Sequence, residues 1–297
     1  MNEQVKLVLK NPRFLFIPFL YWFGRGISDE PYLKMMYRLR TGQKLNLESP
    51  KTYNEKMQWL KLHDHRTEYK QMADKYAVRE FVADKIGTQY LVPFLGVWDS
   101  FDEINFDELP NQFVLKCTHD SGSVVICRDK ERFNKTAARK KLQKALKRDY
   151  FAAKREWCYQ GVKPRIIAEE FLGENISDYK IHTFGGQAKT VQVDFDRFIN
   201  HKRNIYTASD WAYIPLSIRY QTDPDRVIDR PSKLAKMLSI AERLAENIPY
   251  MRVDLYFVSG KIYFGEITFY HEAGLNRFTP SEYGAQWGDW IELNTLA

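Results

Sequence analysis

Two acidic residues near the carboxyl end of the chain have the types and spacing of a magnesium site. Asp254 lies in the apolar stretch RVDLYFV and Glu266 in the stretch KIYFGEITF. If the two stretches pair as a hairpin, both carboxylates point to one spot, and Thr268 follows on the face of Glu266. Mg²⁺ usually takes one or two carboxylates with phosphate oxygens and water. We therefore predict Asp254, Glu266 and Thr268 as metal ligands; ion pairing with Arg252 or Lys261 is the alternative.

A second candidate is the stretch FVLKCTHDSGSVVIC, two apolar strands joined by a small polar loop. Lys116 lies on the first strand, and Ser121, Gly122 and Ser123 lie in the loop. Small residues let backbone N–H groups approach phosphate oxygens, and a nearby ammonium neutralises phosphate charge. The pattern predicts a phosphate-binding loop, although a plain β-hairpin with the same residues is the commoner structure.

A third candidate is IIAEEFLGENISDYK, in which Glu169 and Glu170 follow an apolar strand. Further on, Asp178 and Lys180 flank Tyr179 at the start of the next strand. Backbone groups at the end of a strand can bind an adenine edge, and a nearby carboxylate can bind ribose hydroxyls. Each residue taken singly is more typical of a charged surface.

Composition and charge narrow the class of protein. The 297 residues carry 45 Lys and Arg against 38 Asp and Glu, a net charge of +7, and 44% are hydrophobic. These values are typical of a folded protein with a sizeable core and exclude a disordered, collagenous or polytopic membrane chain. The three cysteines form no C-x-x-C pair, which disfavours a disulfide framework or structural zinc and favours the cytoplasm.

The apolar stretch FLFIPFLYWFG, residues 14–24, contains a proline and is too short to span a bilayer. Lys6, Lys10 and Arg13 precede it, and Tyr21 and Trp22 lie near its end. The simplest interpretation is a terminal segment packed on the core. Peripheral contact with the inner face of a membrane through residues 1–25 is the alternative.

Hydrophobic periodicity indicates mixed α and β structure. The first eighty residues are predicted to be mainly helical, with a capping box at Thr52 and Glu55 and a helix over 69–85, and a later helix covers 232–245. Short β-branched or aromatic runs indicate strands at 92–98, 113–117, 166–172, 180–186, 189–195, 252–258 and 261–269. This alternation predicts an α+β or α/β enzyme scaffold.

Residues 132–165 contain twelve Lys or Arg and two acids, a local charge of +10. Apolar residues recur near a 3.6-residue period, so most of the segment is predicted to be helical with one buried face. The other face is densely positive. It is either an ordinary solvated face or a surface that meets a polyanion.

In order along the chain, these residues resemble the ATP-grasp superfamily of ATP-dependent carboxylate–amine ligases. The segments SPKTYNEKMQWLKL, ADKYAVREFV, FVLKCTHDSGS and YFGEITFYHEAGLNRFTP resemble its TupA-like branch, which is associated with teichuronopeptide and capsular polysaccharide synthesis. The resemblance runs from about Asp29 to the carboxyl end. It implies an ATP-grasp fold, in which two α+β subdomains clamp the nucleotide after a helical amino-terminal region.

The resemblance also implies roles in nucleotide binding. Lys116 would contact the α-phosphate and adenine side, and the loop 118–123 would close over the other phosphates. The hinge Glu169, Glu170, Phe171 and Leu172 would hold adenine. Asp178 would bind the ribose hydroxyls and Lys180 the phosphates.

Asp254 and Glu266 would hold Mg²⁺. The superfamily ends this motif with asparagine, where the present chain has Thr268, a weaker ligand. The implied reaction forms an acyl phosphate that an amine opens to an amide. The predicted cations for the acceptor carboxylate or the phosphoryl charge are Arg197, Arg252 and Lys180, with His201 and Arg203 as further candidates.

The predicted domains are a helical region over 1–86, a small subdomain with the phosphate loop over 87–175 and a large subdomain with the metal site over 176–297. The expected cofactors are ATP and Mg²⁺. The expected partners are a uronic-acid glycan or precursor and an amino acid or amine, without nucleic acid. One alternative is a glycosyltransferase with an Asp-x-Asp metal site at 194–196 or 223–225; a non-catalytic polyanion-binding protein is another.

Overall fold

The structure, a computed structural model, describes residues 16–174, 176–196 and 199–293. Helices alternate with strands along these ranges. The helices are α1 (Phe16–Phe23), α2 (Asp29–Thr41), α3 (Tyr53–His63), α4 (Glu68–Ala73), α5 (Val78–Ile86), α6 (Lys135–Leu146), α7 (Tyr150–Lys154), α8 (Leu234–Leu244) and α9 (Glu282–Asp289). The strands are β1 (Phe94–Trp98), β2 (Phe113–Cys117), β3 (Val124–Cys127), β4 (Ile166–Glu170), β5 (Ser177–Phe184), β6 (Gln187–Phe195), β7 (Lys202–Thr207), β8 (Tyr213–Ile214), β9 (Ser217–Ile218), β10 (Tyr250–Val258), β11 (Lys261–Thr268) and β12 (Phe278–Thr279).

Strands β1 to β4 form a small antiparallel sheet in the order β1-β4-β2-β3. Alternate residues of β2 are buried, as expected of a strand with one face on a core. Helix α6 covers this face with Ala138, Leu142 and Ala145, which recur at helical spacing and are buried. The opposite side of α6 carries the exposed basic residues.

A larger antiparallel sheet has the order β11-β10-β5-β6-β7-β8. Helix α8 packs on one face of it with Met237, Ile240, Ala241 and Leu244, all of which are buried. The strands that neighbour β10 are β11, its partner in a hairpin, and β5, which is far from both in sequence. These three strands carry Asp178, Lys180, Arg252, Asp254, Glu266 and Thr268. The predicted mixture of α and β structure is confirmed.

Most predicted strands are present within a few residues of their expected ends, but two helical predictions are wrong. The helix predicted over 69–85 is two helices, α4 and α5. The break occurs at Asp74, whose Oδ1 accepts hydrogen bonds from the backbone N–H groups of Tyr76 and Ala77 at 2.7 and 3.0 Å. A short acidic side chain that binds the backbone in this way favours a turn over a continuing helix.

The basic segment 132–165 is also not one long helix. Helix α6 ends at Leu146, and Asp149 begins the short α7 by accepting a hydrogen bond from the N–H of Ala152 at 2.9 Å. Helix α7 ends at Arg155, which has a left-handed backbone and a buried side chain paired with Asp29 at 2.8 Å. The positive charge is therefore divided, and the exposed part lies mainly on α6.

The amino-terminal helices pack beside the turn that follows β11. Ile17 and Leu20 of α1 and much of α2 share a buried cluster with Ala273 and Leu275 of that turn. Helix α1 has only eight residues. Across the described ranges, the structure contains no helix long and apolar enough to cross a membrane.

Candidate active site

The two predicted metal-binding carboxylates are a cross-strand pair. Asp254 on β10 lies directly opposite Glu266 on β11, as the hairpin prediction required. The register shifts immediately beyond this pair, because Gly265 is an extra residue in β11. A Cβ atom at Gly265 would lie 3.0 Å from the ring of Tyr256 and 3.1 Å from the carbonyl oxygen of Asp254. The glycine lets β11 bend closely over β10 beside the carboxylates.

Two cations, Arg252 and Lys180, donate hydrogen bonds to the Asp254 carboxylate. Arg252 donates from Nε to Oδ1 at 2.6 Å and from its second terminal nitrogen to Oδ2 at 2.8 Å. Lys180 of β5, which is in register with Asp254, donates to Oδ2 at 2.6 Å and also to Asp178 at 2.6 Å. The predicted residues Asp178, Lys180, Arg252 and Asp254 are therefore brought together.

Arg252 extends this group to Glu266, to which it donates at 3.0 Å. The ion pairing weighed as an alternative to metal binding thus exists in the structure. Burial raises the pKa of Asp254, but the charges of Arg252 and Lys180 outweigh it and lower that pKa below its ordinary value. Asp254 is ionised at neutral pH as a result.

The donor set fits Mg²⁺, although it does not form a complete cage. Asp254 is an ionised oxygen donor, the side chain of Glu266 is 33% exposed, and Thr268 lies on the same face two residues beyond Glu266. In the parts of the chain that the structure describes, no cluster of three or more His, Cys, Asp or Glu could hold a metal ion. Magnesium at this position would need oxygens from the nucleotide.

His271, which the sequence analysis did not single out, fixes the position of Arg252. The arginine donates to Nδ1 of His271 at 2.9 Å, and the histidine is buried. Burial, followed by the charges of His182 and Arg252, holds the pKa of His271 well below its ordinary range. The imidazole is therefore neutral and can accept this hydrogen bond.

Lys116, the predicted phosphate-side lysine, is already paired in this structure. Its Nζ donates to Glu169 of β4 at 2.6 Å, and Arg79 of α5 donates to the other oxygen of Glu169 at 3.1 Å. The Glu169 carboxylate is consequently occupied by two cations. Glu170 is exposed at the end of β4, and Phe171 and Leu172 follow it half-buried. Arg79 was not identified from the sequence, because it lies in helix α5, whereas the candidate residues lie on or beside the predicted apolar strands.

The predicted phosphate loop joins β2 to β3 as expected, and hydrogen bonds fix its base. Ser123 is buried and donates to Asp120, and Lys75 donates to the carbonyl oxygen of Asp120. Ser121 and Gly122 form an exposed tip, where Gly122 has a φ of +92° that favours glycine. The anchored base and the open tip are the arrangement expected of a loop that presents backbone N–H groups to an anion.

Two half-buried tyrosines, Tyr256 of β10 and Tyr150 of α7, are affected by carboxylates of the candidate site. Burial raises the pKa of Tyr256, and the carboxylates of Asp178, Glu266, Asp254 and Glu169 raise it further. These carboxylates come from both sheets. The pKa of Tyr150 in α7 is also raised by burial and then by carboxylates that include Glu266, with an opposing effect of Ser121 in the phosphate loop. Carboxylates of the hinge and of the Asp254–Glu266 pair are therefore close enough to these tyrosines to affect their pKa values.

Two further predicted cations lie at the start of β7: Arg203 on the strand and His201 just before it. Arg197 falls outside the described residues. Arg203 of β7 donates to Asp194 at 2.7 Å and to Glu272 at 3.2 Å, and the His201 ring stacks on Tyr220 with ring centres 3.7 Å apart. Arg203 does not contact Arg252, although Glu272 directly follows His271 in the chain.

Comparison with known proteins gives one family match. A model of the TupA-like ATP-grasp family matches residues 55–292. No curated protein sequence matches the chain significantly.

Three solved structures are similar at low identity. They are D-alanine–D-alanine ligase from Bacillus anthracis complexed with ATP (16% identity, 67% of this chain, 53% of that chain, TM-score 0.39), phosphoribosylamine–glycine ligase from Thermotoga maritima (16%, 68%, 48%, 0.41) and an ATP-grasp RimK domain protein from Sphaerobacter thermophilus (14%, 75%, 67%, 0.40). The chain spans about half the length of the first two. Because these TM-scores lie below 0.5, the assignment rests on the sequence match.

The predicted cofactors, ATP and Mg²⁺, are those that ATP-grasp enzymes use. The match covers most of the chain, including the phosphate loop, the hinge and the carboxylate pair. The resemblance seen in the sequence is confirmed, and the chain belongs to the TupA-like ATP-grasp family.

Proposed function

We propose that the protein is an ATP- and Mg²⁺-dependent carboxylate–amine ligase. The observation that carries this proposal is the contact of Lys180, Arg252, Asp254 and Glu266 across three neighbouring strands. Two carboxylates and two cations at one point suit a magnesium nucleotide whose terminal phosphate develops charge during transfer. Family membership supports the same class of reaction.

We propose the same nucleotide-binding role for each residue that the sequence analysis predicts. Lys116 and the loop 118–123 would bind the phosphates, and backbone atoms of 169–172 would bind adenine. Asp178 would bind the ribose. For Lys116 to reach a phosphate, the nucleotide must compete with Glu169, which accepts from Lys116 at 2.6 Å. We also retain the division into regions 1–86, 87–175 and 176–297.

In the proposed reaction, a carboxylate oxygen of the acceptor attacks the γ-phosphorus of ATP and ADP leaves. The resulting acyl phosphate reacts with an amine, which forms the amide and releases phosphate. No side-chain nucleophile is required. Arg252 and Lys180 would neutralise the charge of the transferred phosphoryl group. Asp254 and Glu266 would hold Mg²⁺, with Thr268 nearby. The remaining contribution of the protein would be to position the substrates and to exclude water from the acyl phosphate. Arg197 remains a candidate for binding the acceptor carboxylate.

We propose a uronic-acid carboxylate of a surface glycan or its precursor as the acceptor, with an amino acid or amine as the second substrate. The exposed face of α6, with Arg139, Lys140, Lys144 and Lys147, supports an acidic polymer as partner. These residues surround a shallow surface depression of about 430 Å³.

We propose a cytoplasmic location, with peripheral contact at the inner face of a membrane. Phe16, Phe19 and Phe23 of α1 are 63%, 61% and 64% exposed and lie along one face of the helix. Arg25 and Lys34 are exposed nearby in sequence. An exposed aromatic stripe next to basic residues suits an anionic lipid surface. The basic residues Lys6, Lys10 and Arg13 lie outside the described residues.

The test is incubation of the purified protein with ATP, Mg²⁺, hydroxylamine and a panel of uronic-acid acceptors. Hydroxylamine traps an acyl phosphate as a hydroxamate, so we expect ADP and hydroxamate in equal amounts for at least one acceptor. Turnover of a nucleotide sugar without either product would favour the glycosyltransferase alternative. In the Asp-x-Asp sites of that alternative, Asp194 is held by Arg203 and Asp223 pairs with Lys202 at 2.5 Å, and family membership supports the ligase.

A further inference from the structure

Arg219, between β9 and Tyr220, has an unusual backbone that no part of the proposed reaction uses. Its φ is +67°, and the N–H of Tyr220 donates to the carbonyl oxygen of Ile218 at 2.8 Å. This two-residue hydrogen bond closes a tight γ-turn with Arg219 at its centre, a strained conformation for any residue other than glycine. The turn directs Arg219 away from the strand, leaving its side chain 54% exposed.

Neighbouring side chains hold this strained turn in place. Arg203 donates to the carbonyl oxygen of Ile218 at 3.0 Å, and the hydroxyl of Ser217 donates to the carbonyl oxygen of Tyr220 at 2.6 Å. Strained turns persist where surrounding contacts fix them, and they concentrate at ligand-binding sites.

A second strained turn meets the first at a salt bridge. Glu272 and Ala273, just after β11, have φ values of +51° and +57°. The Glu272 carboxylate accepts from Arg219 at 3.0 Å, from Arg203 at 3.2 Å and from Asn276 at 2.9 Å. The carboxylate therefore fixes the direction of the Arg219 guanidinium.

This second turn begins at the candidate active site. His271, the residue before Glu272, accepts the hydrogen bond from Arg252, which in turn binds Asp254 and Glu266. Arg219 is thus connected to the carboxylate pair through one short turn, but it does not contact the pair.

The Arg219 guanidinium has room for a ligand. Among the residues that the structure describes, only Glu272 accepts a hydrogen bond from this guanidinium. The centre of the Tyr220 ring lies 5.0 Å from the guanidinium carbon. A guanidinium with one edge held by a carboxylate and the rest exposed can bind a second carboxylate through two parallel N–H groups.

We propose that Arg219 binds the carboxylate of the amine substrate, which is therefore an amino acid rather than a simple amine. This inference rests on the proposed ligase function. In the proposed reaction the acceptor carboxylate reacts beside Arg252, Lys180 and the metal ligands, none of which contacts Arg219, so we assign a carboxylate at Arg219 to the other substrate. In an α-amino acid, two bonds of about 1.5 Å separate the nitrogen from the carboxyl carbon. Binding at Arg219 would therefore keep the nitrogen close to this guanidinium, which the turn at His271 and Glu272 connects to Arg252.

The test compares glycine, alanine, glutamate and lysine with their α-amides as amine substrates of the full chain. We expect the wild-type protein to prefer an amino acid over its amide. Arg219→Met should raise the KM for that amino acid roughly 10- to 100-fold, the effect of losing a charge-assisted hydrogen-bonded pair, and should abolish the preference. Arg219→Lys should recover it only partly, because lysine lacks the planar fork.

Hydroxylamine separates this inference from the proposed function, because it reacts with the acyl phosphate without a carboxylate. Arg219→Met should keep the hydroxamate yield while losing amino-acid coupling. The control is Arg226→Met, which changes an exposed arginine in the following loop and should alter neither reaction. Equal use of amino acid and amide by the wild type, or an unchanged KM in Arg219→Met, would overturn the proposal.

Binding provides an answer even if the wild-type protein forms no hydroxamate and the proposed ligase reaction fails. Calorimetric titration of the full chain with the same amino acids and amides, in the presence of Mg²⁺ and a non-hydrolysable ATP analogue, should show binding that requires the carboxylate and Arg219. Binding that Arg219→Met leaves unchanged would refute the site independently of catalysis.

Discussion

Asp254 lies directly opposite Glu266 across β10 and β11, and a single guanidinium, that of Arg252, donates to both carboxylates. The two acids differ in their surroundings. Asp254 is buried and bound by two cations, whereas Glu266 accepts one hydrogen bond from Arg252 and is partly exposed. We infer that Asp254 holds the side chains of Lys180 and Arg252 in place. Glu266 is the carboxylate that is more accessible to a magnesium nucleotide.

Glu266→Ala should therefore abolish ATP-dependent turnover and leave the fold intact. We expect a loss of at least about 100-fold in kcat, the size of effect seen when a charge-stabilising group is removed from an active site. The measurement is ADP release with saturating ATP and Mg²⁺, together with circular dichroism. Glu282→Ala, at an exposed position in α9, is the control. Wild-type turnover in Glu266→Ala would remove the metal assignment.

The pairing of Glu169 with Lys116 and Arg79 predicts a large stability effect. Glu169→Ala should lower the free energy of unfolding by about 3 kcal/mol, because it leaves two largely buried cations without their carboxylate partner. Glu174→Ala breaks an exposed pair with Arg128 near the same sheet and should cost less than about 1 kcal/mol. Urea denaturation measures both. Equal losses in the two variants would show that the Glu169 pairs contribute no more than surface charges.

Lys61 predicts a pH dependence of stability. It is buried in α3 and donates to the carbonyl oxygen of Ala273 at 2.8 Å and to Gln58 at 3.0 Å, and burial lowers its pKa from 10.5 to about 7. Between these two pH values the unfolded chain holds more protons at Lys61 than the folded chain, so stability should rise with pH through that window. Below pH 7 this contribution should be flat.

The measurement is urea denaturation at pH 7, 8 and 9 for the wild type and Lys61→Met. The difference between the two proteins should change steadily with pH, because only the wild type has the buried titrating group. Lys34→Met, which alters an exposed lysine of α2, should follow the wild type. A constant difference between wild type and Lys61→Met would contradict the lowered pKa.

The exposed aromatic stripe of α1 predicts binding to vesicles. Sedimentation with vesicles that contain anionic lipid should recover the wild-type protein, and replacing Phe16, Phe19 and Phe23 together by serine should weaken binding at least about tenfold. Val227→Ser is the control, since Val227 is also highly exposed but lies outside α1. Unchanged vesicle binding by the triple variant would show that the aromatic stripe of α1 is not the membrane contact.

The apolar runs and the intervening turn predict two adjacent strands, which brings Asp254 near Glu266. The exact pairing could not be predicted, because a regular two-residue period counted from the turn would place Gly265 opposite Asp254, and the extra residue at Gly265 moves Glu266 into that position. The pairing of Lys180 with Asp254 could not be derived in this way, because β5 and β10 are joined only through the order of strands in the sheet.

Arg79, His271 and Arg219 act through contacts between distant segments, and no local pattern marks them. The break at Asp74 shows the opposite case. There a local side-chain hydrogen bond overrides a helical period that looked continuous. A closer reading of turn-forming residues would have found the break, whereas the distant contacts required the structure.

The most direct test of carboxylate activation by phosphoryl transfer uses an acceptor whose carboxylate carries ¹⁸O. If the carboxylate attacks the γ-phosphorus and the amine then displaces phosphate, one labelled oxygen must leave with the phosphate. We therefore predict that mass spectrometry of the phosphate released during amide formation shows one ¹⁸O atom per molecule. Unlabelled phosphate, with the ¹⁸O lost from the carboxylate found in AMP or in water instead, would contradict the proposed reaction.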